Sequence, residues 1–309
     1  MNRIAIFHPT SLLGKEVRET LERRTGWQEI QLLSTLEEEI GSLTEVAGAA
    51  ALVQAYDPDS LDGIDTAFFC GPIAATRPLL ADVPKSTTAV ILSPDATPED
   101  GIPLVAGVND AALRGGNVIV SPHPAVVLLS HLLHPLASLD PQQAAATVLL
   151  PASMEGDPGI EELAEQARNI FTMSGRKPSP VFGAQLTFNV LPTAIPVDPL
   201  AAELRVVLGR PVALQILRAG VFHSLAVSLH VRLAGNPNGQ ALRKALDSNP
   251  HLEFTDVPKH LGPVEAAASE KVIYGTVRKD PDGGFWLWAV MDNLTRGGAL
   301  NAIEIAEAV

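Results

Sequence analysis

Five short apolar segments, separated by polar and helical stretches, dominate the first 121 residues of the chain. They are Arg3–Phe7, Ile30–Leu33, Asp65–Phe69, Thr88–Leu92 and Asn117–Val120. Short apolar runs of this kind are typical of parallel strands that are buried on both faces and joined by helical crossovers. A first helix is predicted over Lys15–Arg24. Residues 1–121 are therefore predicted to form a doubly wound, Rossmann-like α/β domain.

The pattern changes after Ser121. An apolar helix is predicted to start in Pro122-His123-Pro124 and to run to about Ala137, since proline suits the first helical turn. Longer, partly alternating strands favour a mixed or antiparallel sheet over Ala146–Leu150, Val212–Leu217, Leu225–Val231 and Lys271–Val277. We predict a second α+β domain over residues 122–291. The C-terminal segment 292–309, with an amphipathic helix over Thr295–Val309, is expected to complete the first domain.

Composition and charge restrict the expected partners. The formal net charge is −13, and no basic stripe with interleaved aromatic residues occurs, so nucleic acid is not an expected partner. No apolar stretch is long enough to span a bilayer, and no targeting signal is recognisable. The single cysteine, Cys70, excludes an intramolecular disulfide. These features favour a cytoplasmic protein without a membrane partner.

Three segments resemble the aspartate-semialdehyde dehydrogenase family. The most specific is Asp292–Ala302 (DNLTRGGALNA), which is close to the family's Asp-Asn-Leu-x-Lys-Gly-Ala-Ala-x-Asn-Ala. Gln185–Pro192 is similar to its Phe-Asn-x-x-Pro motif, and Gly159–Leu163 to the start of its interdomain helix. The resemblance implies an NADP-dependent, phosphorylating aldehyde oxidoreductase of amino-acid biosynthesis. It also implies a homodimer that pairs through the sheet of the second domain.

The positions that carry the family's covalent chemistry differ in this chain. The family places its nucleophilic cysteine in Pro-Asn-Cys, at a helix N-terminus that stabilises the thiolate. The matching residues are Pro122-His123-Pro124, so Pro124 stands at the position of the thiol. His123 takes the asparagine position, where it could act as a base or bind an anion, although an exposed or hydrogen-bonded loop histidine is favoured. The family's glutamine falls near Leu150, which cannot hydrogen-bond a substrate.

Two positions keep a side chain that suits the family's site. His223, in Phe222-His223-Ser224, matches the base histidine of the family's Gly-His-Ser segment. Arg218 lies closer to this histidine than the family's substrate arginine does, and the resemblance assigns it the role of substrate binding. A half-buried strand histidine is the alternative for His223.

Other candidate nucleophiles and metal ligands are weaker. Cys70 follows an apolar strand, at a sheet edge where ligands bind, and could be a relocated nucleophile. A small buried apolar role is favoured for it instead. His131 and His134 lie three residues apart on the apolar helix, but no third ligand is apparent beside them, so no metal is predicted.

The turn after the first strand departs from the family's Gly-Ala-Thr-Gly-x-Val-Gly. It contains His8-Pro9-Thr10-Ser11-Leu12-Leu13-Gly14, in which Thr10 and Gly14 match among the polar and glycine positions. A tight pyrophosphate turn needs glycine for positive φ and close backbone approach. Hydroxyl groups and the helix N-terminus could still hold a phosphate weakly. Weak cofactor contacts are assigned to Thr10, Ser11, Gly14, Ser34, Gly71, Asn293 and Gly297.

Three consecutive glutamates, Glu37–Glu39, follow the second strand, where the family has an arginine for the adenosine phosphate. They would repel a 2′-phosphate, so NADP is disfavoured more strongly than NAD, and cofactor binding is expected to be absent or weak. A charged surface turn leading into a helix explains the glutamates equally well.

Two functions are compatible with these observations. The first is a family homologue that is catalytically inactive or severely impaired and acts by binding or association, with a small anionic ligand in its cleft. The second is an active NAD(P)-dependent oxidoreductase that uses His223 on a different small carbonyl substrate. The changes at Pro124, at Leu150 and in the glycine turn lie at separate sites, and together they favour the first.

Overall fold

The computed structural model describes residues 2–24, 26–46, 48–173, 175, 178–193, 196–256, 260–275 and 277–309. The chain divides into two compact units. The first unit contains Met1–Val127 and Gly297–Val309, and the second contains Leu128–Arg296. The predicted boundary after Ser121 precedes the apolar helix, whereas the observed division falls within that helix.

The first unit is built on a parallel sheet. Its strands are β1 (Asn2–Phe7), β2 (Trp27–Ser34), β3 (Leu43–Val46), β4 (Ala49–Leu52), β5 (Gln54–Ala55), β6 (Thr66–Phe69), β7 (Thr88–Ile91), β8 (Ile102–Pro103) and β9 (Val118–Val120). Seven of them form one sheet in the order β5-β2-β1-β6-β7-β9-β8, and all neighbours are parallel. Strands β3 and β4 form a separate antiparallel ribbon. The predicted doubly wound α/β architecture is confirmed.

Both faces of this sheet are buried. In β1, Ile4 and Ile6 belong to one apolar cluster, and Ala5 and Phe7 belong to another, because successive side chains point to opposite faces of a strand. All four residues are fully buried. This explains why the strand is continuously apolar rather than alternating.

Two helices follow strands of this sheet, α1 (Leu12–Glu22) and α2 (Ile73–Thr76). The prediction of Lys15–Arg24 for the first helix was wrong at both ends. Ser11 is the N-cap of α1, and its hydroxyl accepts a hydrogen bond from the backbone N–H of Gly14 at 3.0 Å. A serine cap satisfies one of the free N–H groups of the first turn, which allows the helix to begin before its charged residues.

The second unit is built on a mixed sheet. Its strands are β10 (Pro141–Leu150), β11 (Val190–Pro192), β12 (Ala213–Ala219), β13 (Leu225–Leu233), β14 (Leu252–Phe254), β15 (Val272–Tyr274), β16 (Arg278–Lys279) and β17 (Gly284–Met291). The strand order is β11-β12-β10-β13-β17-β15-β14, with β16 paired to β17. Strands β10 and β12 are parallel, as are β14 and β15, and the remaining pairs are antiparallel. The predicted mixed sheet is confirmed; β15 ends at Tyr274, and Thr276 of the predicted strand Lys271–Val277 lies outside the described residues.

Four helices lie between Pro124 and Leu246. They are α3 (Pro124–Leu133), α4 (Gly156–Phe171), α5 (Val197–Leu208) and α6 (Gly239–Leu246). Helix α3 ends before the predicted end near Ala137, because Pro135 has no N–H group to continue the helix. A 3₁₀ turn, Pro135–Leu139, follows the helix instead. No helix within the described parts of the chain has the length and apolar character needed to cross a membrane.

The C-terminal segment is not one α-helix, so the prediction over Thr295–Val309 was wrong in its first part. Thr295–Leu300 is π-helical, and α7 (Asn301–Glu307) follows it. Ile303 and Ile305 of α7 join the same apolar cluster of the first unit as Val17 and Leu21 of α1. The C-terminus thus forms part of the first unit's core.

Candidate functional site

The N-terminus of α3 is the position to which the resemblance assigns the family's thiol. Pro124 is the first residue of this helix and supplies no nucleophile. The preceding His123 is 3% exposed, and its Nδ1 accepts a hydrogen bond from the backbone N–H of Ala125 at 3.1 Å. Burial lowers the pKa of His123 to about 4, so the imidazole is neutral at pH 7. His123 is a buried helix cap, in the role that asparagine usually takes.

The single cysteine lies at the end of β6 and inside the apolar core. Cys70 is 4% exposed and belongs to the same cluster as Ile4 and Ile6. Burial raises the pKa of its thiol well above the usual range, and the charge of Glu39 raises it further. A reactive cysteine needs an accessible thiolate. The thiol of Cys70 is buried, and its raised pKa favours the protonated form.

The turn between β1 and α1 has the backbone conformation of a glycine turn but carries a large side chain. His8 has a φ of 56°, a left-handed conformation that glycine adopts more readily. Its ring is 1% exposed, and its Nε2 lies 3.3 Å from the hydroxyl of Thr35. An ideal Cβ on Gly71 would come within 2.1 Å of Nδ1 of His8, so the ring lies directly against that glycine. Burial lowers the pKa of His8, which favours the neutral ring.

Glu39 lies beside this turn. One carboxylate oxygen accepts a hydrogen bond from the hydroxyl of Thr10, and the other accepts one from Ser34 at 2.6 Å. Glu39 is 8% exposed, whereas Glu37 and Glu38 are exposed. The predicted charged surface turn therefore describes Glu37 and Glu38 but not Glu39.

Five of the residues assigned to cofactor contacts surround this turn: Thr10, Ser11, Gly14, Ser34 and Gly71. The hydroxyl groups of Thr10, Ser11 and Ser34 have partners within the first unit, and Ser11 donates to the carbonyl oxygen of His8 at 2.9 Å. The His8 ring lies where a glycine would leave space, and a carboxylate holds the hydroxyl groups of Thr10 and Ser34.

The second unit places its candidate residues around the carboxyl ends of β10 and β12. Leu150 is fully buried and lies opposite Arg218 in the parallel register. Arg218 forms an ion pair with Glu155, which follows β10 closely. The guanidinium also lies 5.6 Å from the centroid of the Phe182 ring. The resemblance did not identify Glu155, although its position just after a strand end was a signal for it.

His223 lies in the connection between β12 and β13. This connection lies beside the segment after β10. The backbone N–H of Ser153 donates a hydrogen bond to the carbonyl oxygen of Phe222 at 3.0 Å. Asn293 accepts a hydrogen bond from the backbone N–H of Ser224 at 2.9 Å, and its amide nitrogen lies 3.1 Å from the hydroxyl of Ser153. Asn293 is 1% exposed, so its amide holds the two loops together. His223 is half-buried beside this network.

The remaining candidates lie elsewhere. His131 is fully buried, with its ring centroid 4.7 Å from that of His251, and burial lowers its pKa. His134 is exposed, and Gly297 lies in the π-helical segment. Among the residues that the structure describes, no group of three or more histidine, cysteine, aspartate or glutamate side chains could hold a metal ion.

The chain is an α/β protein of two units, one with a parallel sheet and one with a mixed sheet. No model of a known protein family matches the chain. It is 29% identical to the USG-1 protein homolog of Azotobacter vinelandii, over 98% of this chain and 96% of that protein. It is 24% identical to aspartate-semialdehyde dehydrogenase of Bacillus subtilis (strain 168), over 99% and 96%. A probable aspartate-semialdehyde dehydrogenase from Pseudomonas aeruginosa has the same fold, with a TM-score of 0.91, 24% identity and coverage of 99% and 97%. Over nearly its whole length, the chain is similar to aspartate-semialdehyde dehydrogenases and to USG-1 protein homologs.

Proposed function

We propose that this chain is a catalytically inactive member of the family, which acts by binding or association rather than by oxidising an aldehyde. The observation that carries the proposal is Pro124 at the start of α3, where the family's nucleophile belongs. A thiolate that attacks the aldehyde divides the reaction into two easier steps, and proline offers no group for this attack. Cys70 does not replace it, because its thiol is buried and its pKa is raised.

The proposal includes absent or weak binding of NAD(P), with NADP disfavoured. Its support is the turn after β1, where His8 fills space and Glu39 holds the hydroxyl groups of Thr10 and Ser34. Hydride transfer needs a bound nicotinamide, so a chain that does not bind one cannot carry out the oxidation step of the family's reaction, which precedes acyl transfer to phosphate.

The proposed ligand is a small anion that contacts Arg218, and the proposed assembly is a cytoplasmic homodimer. Arg218 is the basic side chain of the second unit's candidate site, and a guanidinium recognises carboxylates and phosphates well. Glu155 already pairs with it, so an added anion has to compete with an internal carboxylate.

The proposed homodimer has a general basis, since closed twofold symmetry is the commonest arrangement of soluble oligomers.

The alternative is an active oxidoreductase that uses His223 on another small carbonyl compound. Its support is the half-buried position of His223 in the connection to β13, where a substrate could reach the ring. A base of this kind acts on an oriented substrate and cofactor. The same assay separates the two functions, provided that several short aldehydes are included.

The test follows reduced-cofactor absorbance with aspartate semialdehyde, phosphate and either nicotinamide, for the native chain and for Pro124→Cys. We expect no turnover from either. The substitution returns a thiol to a helix N-terminus but restores neither the hydrogen-bonding group lost at Leu150 nor the glycine turn, and grouped catalytic residues are not additive. Sustained turnover by the native chain would refute the proposal. Turnover by Pro124→Cys alone would refute its cofactor part.

A further inference from the structure

The carboxyl ends of β1 and β2 meet at one edge of the parallel sheet. Phe7 and Leu33 are partners in the parallel register, so the loops that begin with His8 and Ser34 emerge side by side. In open α/β sheets, ligands bind in the crevice outside this edge. Any group that fills the crevice from within the chain therefore competes directly with a ligand.

The segment after β2 folds back on itself and directs Glu39 into this crevice. The backbone N–H of Leu36 donates to the hydroxyl oxygen of Ser34 at 3.0 Å, and the N–H of Glu39 donates to the carbonyl oxygen of Leu36 at 3.0 Å. This local turn brings the carboxylate of Glu39 back to the strand from which the loop started. Short-range hydrogen bonds therefore hold Glu39 in this position.

The carboxylate of Glu39 makes the contacts that a phosphate would make. Each of its oxygens accepts a hydrogen bond from a hydroxyl group, one from Thr10 of the β1–α1 turn and one from Ser34 at the end of β2. Hydroxyl groups and backbone N–H groups of such turns are the usual partners of phosphate oxygens. A phosphate brought to this edge would find both hydroxyl donors already bonded to Glu39. It would also meet a buried negative charge.

His8 closes the adjoining space. Its backbone keeps the positive φ of 56° that a glycine turn requires, but its ring lies against Gly71. Gly14, the turn's remaining glycine, allows α1 to approach this backbone, because an ideal Cβ there would lie 2.4 Å from the carbonyl oxygen of His8. The backbone of the turn keeps its shape, and the imidazole ring of His8 fills the space inside it.

We propose that Glu39 and His8 fill the dinucleotide crevice of the first unit, and that Glu39 takes the hydroxyl donors that a cofactor phosphate would use. This inference rests on the cofactor part of the proposed function and names the groups responsible. It predicts that removing the two side chains opens the crevice to a phosphate-bearing nucleotide.

The test is calorimetric titration of NADP and of NAD into four forms of the chain, without any aldehyde. These are the native protein, Glu39→Ala, the double variant His8→Gly/Glu39→Ala, and Glu37→Ala. The last is a matched control, because it removes the same charge from an exposed neighbour. We expect no saturation below about 1 mM for the native protein and Glu37→Ala, and binding at least about tenfold tighter for the double variant.

Each result decides the inference. Saturable binding to the native protein well below about 1 mM would overturn it, as would a folded double variant that binds no tighter than Glu37→Ala. Equal gains from Glu37→Ala and Glu39→Ala would show that net charge alone controls binding, which also overturns it. Binding to the double variant without turnover would support the inference and leave the proposed absence of catalysis intact.

A second measurement decides the question if the double variant does not fold. It compares the melting temperatures of Ser34→Ala, Glu39→Gln and the combined variant. Residues that share one hydrogen bond give non-additive effects. We expect the combined variant to melt close to the less stable single variant. Additive losses would show that Ser34 does not hold Glu39 in solution and would overturn the inference.

Discussion

The C-terminal motif, Asp292–Ala302, and the β1–α1 turn, His8–Gly14, differ in how closely they follow the family. The motif matches nearly residue for residue, and the polar side chains Asp292, Asn293 and Asn301 all bond to backbone groups. The turn departs at its glycine positions, and its new side chains fill space. The motif therefore has structural roles that do not depend on catalysis. The turn keeps Gly14, which packs against the backbone of His8, but has a large side chain at His8.

Asn301 gives the largest expected effect within the motif. Its side chain accepts from the backbone N–H of Ala106 at 3.0 Å and donates to the carbonyl oxygen of Leu104 at 3.1 Å and to the hydroxyl of Ser121 at 2.8 Å. Asn301→Leu leaves these three buried groups without their partner. We expect a loss of roughly 3 kcal/mol in the free energy of unfolding, measured by urea denaturation.

Glu307→Ala is the matched control on the same helix. Glu307 pairs with Arg24 at 2.6 Å, and both side chains are partly exposed, so the loss should stay below about 1 kcal/mol. Equal losses from the two variants would contradict a structural role for the motif.

His123 gives the next largest effect, as a pH dependence. Its pKa in the folded chain is about 4, against an ordinary value of 6.5, so the folded state favours the neutral ring. The stabilisation is complete above the unfolded pKa and is lost as the pH falls through the folded pKa. We expect His123 to account for about 2 kcal/mol of the stability lost between about pH 7.5 and about pH 5.

The comparison variant is His123→Asn, which keeps a helix-capping oxygen but cannot titrate in this range. Its unfolding free energy should fall correspondingly less between the two pH values. His134→Asn changes an exposed histidine and should leave the native pH dependence unaltered. If His123→Asn kept the full dependence, the buried cap would not be the group responsible.

Sequence patterns predicted the fold well because they reflect burial. The apolar runs of β1, β6 and β7 predicted the parallel sheet, whereas the short strands β3, β4, β5 and β8 and the π-helical segment Thr295–Leu300 were not predicted. The start of α1 was missed because the cap at Ser11 lies outside the periodic pattern. The sequence did not indicate the π-helical start of the C-terminal segment, since the same apolar residues could be buried by an α-helix or by a π-helix.

The site was harder to predict because its contacts join distant segments. Thr10 and Glu39 come into contact only once β1 and β2 pair. Arg218 on β12 comes into contact with Glu155, which follows β10, only once those two strands pair. The sequence indicated that Glu37–Glu39 would oppose a phosphate. It could not indicate that one of the three glutamates turns inward while its neighbours stay exposed.

A substitution of Glu155 should have the smallest effect on stability, and it tests the ion pair with Arg218 in the second unit. The side chains of Arg218 and Glu155 are 14% and 30% exposed, so the pair is partly solvated and Glu155→Gln should cost less than about 1 kcal/mol. The freed guanidinium should then respond to small dicarboxylates. We expect malonate to raise the melting temperature of Glu155→Gln more than that of the native chain.

Glu161→Gln is the control for this experiment, because it removes the same charge from an exposed position of α4. It should respond to malonate as the native chain does. Equal responses from all three proteins would show that Glu155 does not compete for Arg218.

The absence of a usable thiol nucleophile can be tested by titrating Cys70 with a chromogenic disulfide reagent at pH 7. The thiol is 4% exposed and its pKa is raised, so the native protein should react only as fast as it unfolds. Denatured protein should react rapidly, with one thiol per chain. Rapid, stoichiometric labelling of the native protein would contradict the account, because it would reveal an accessible thiolate where the structure has a buried thiol.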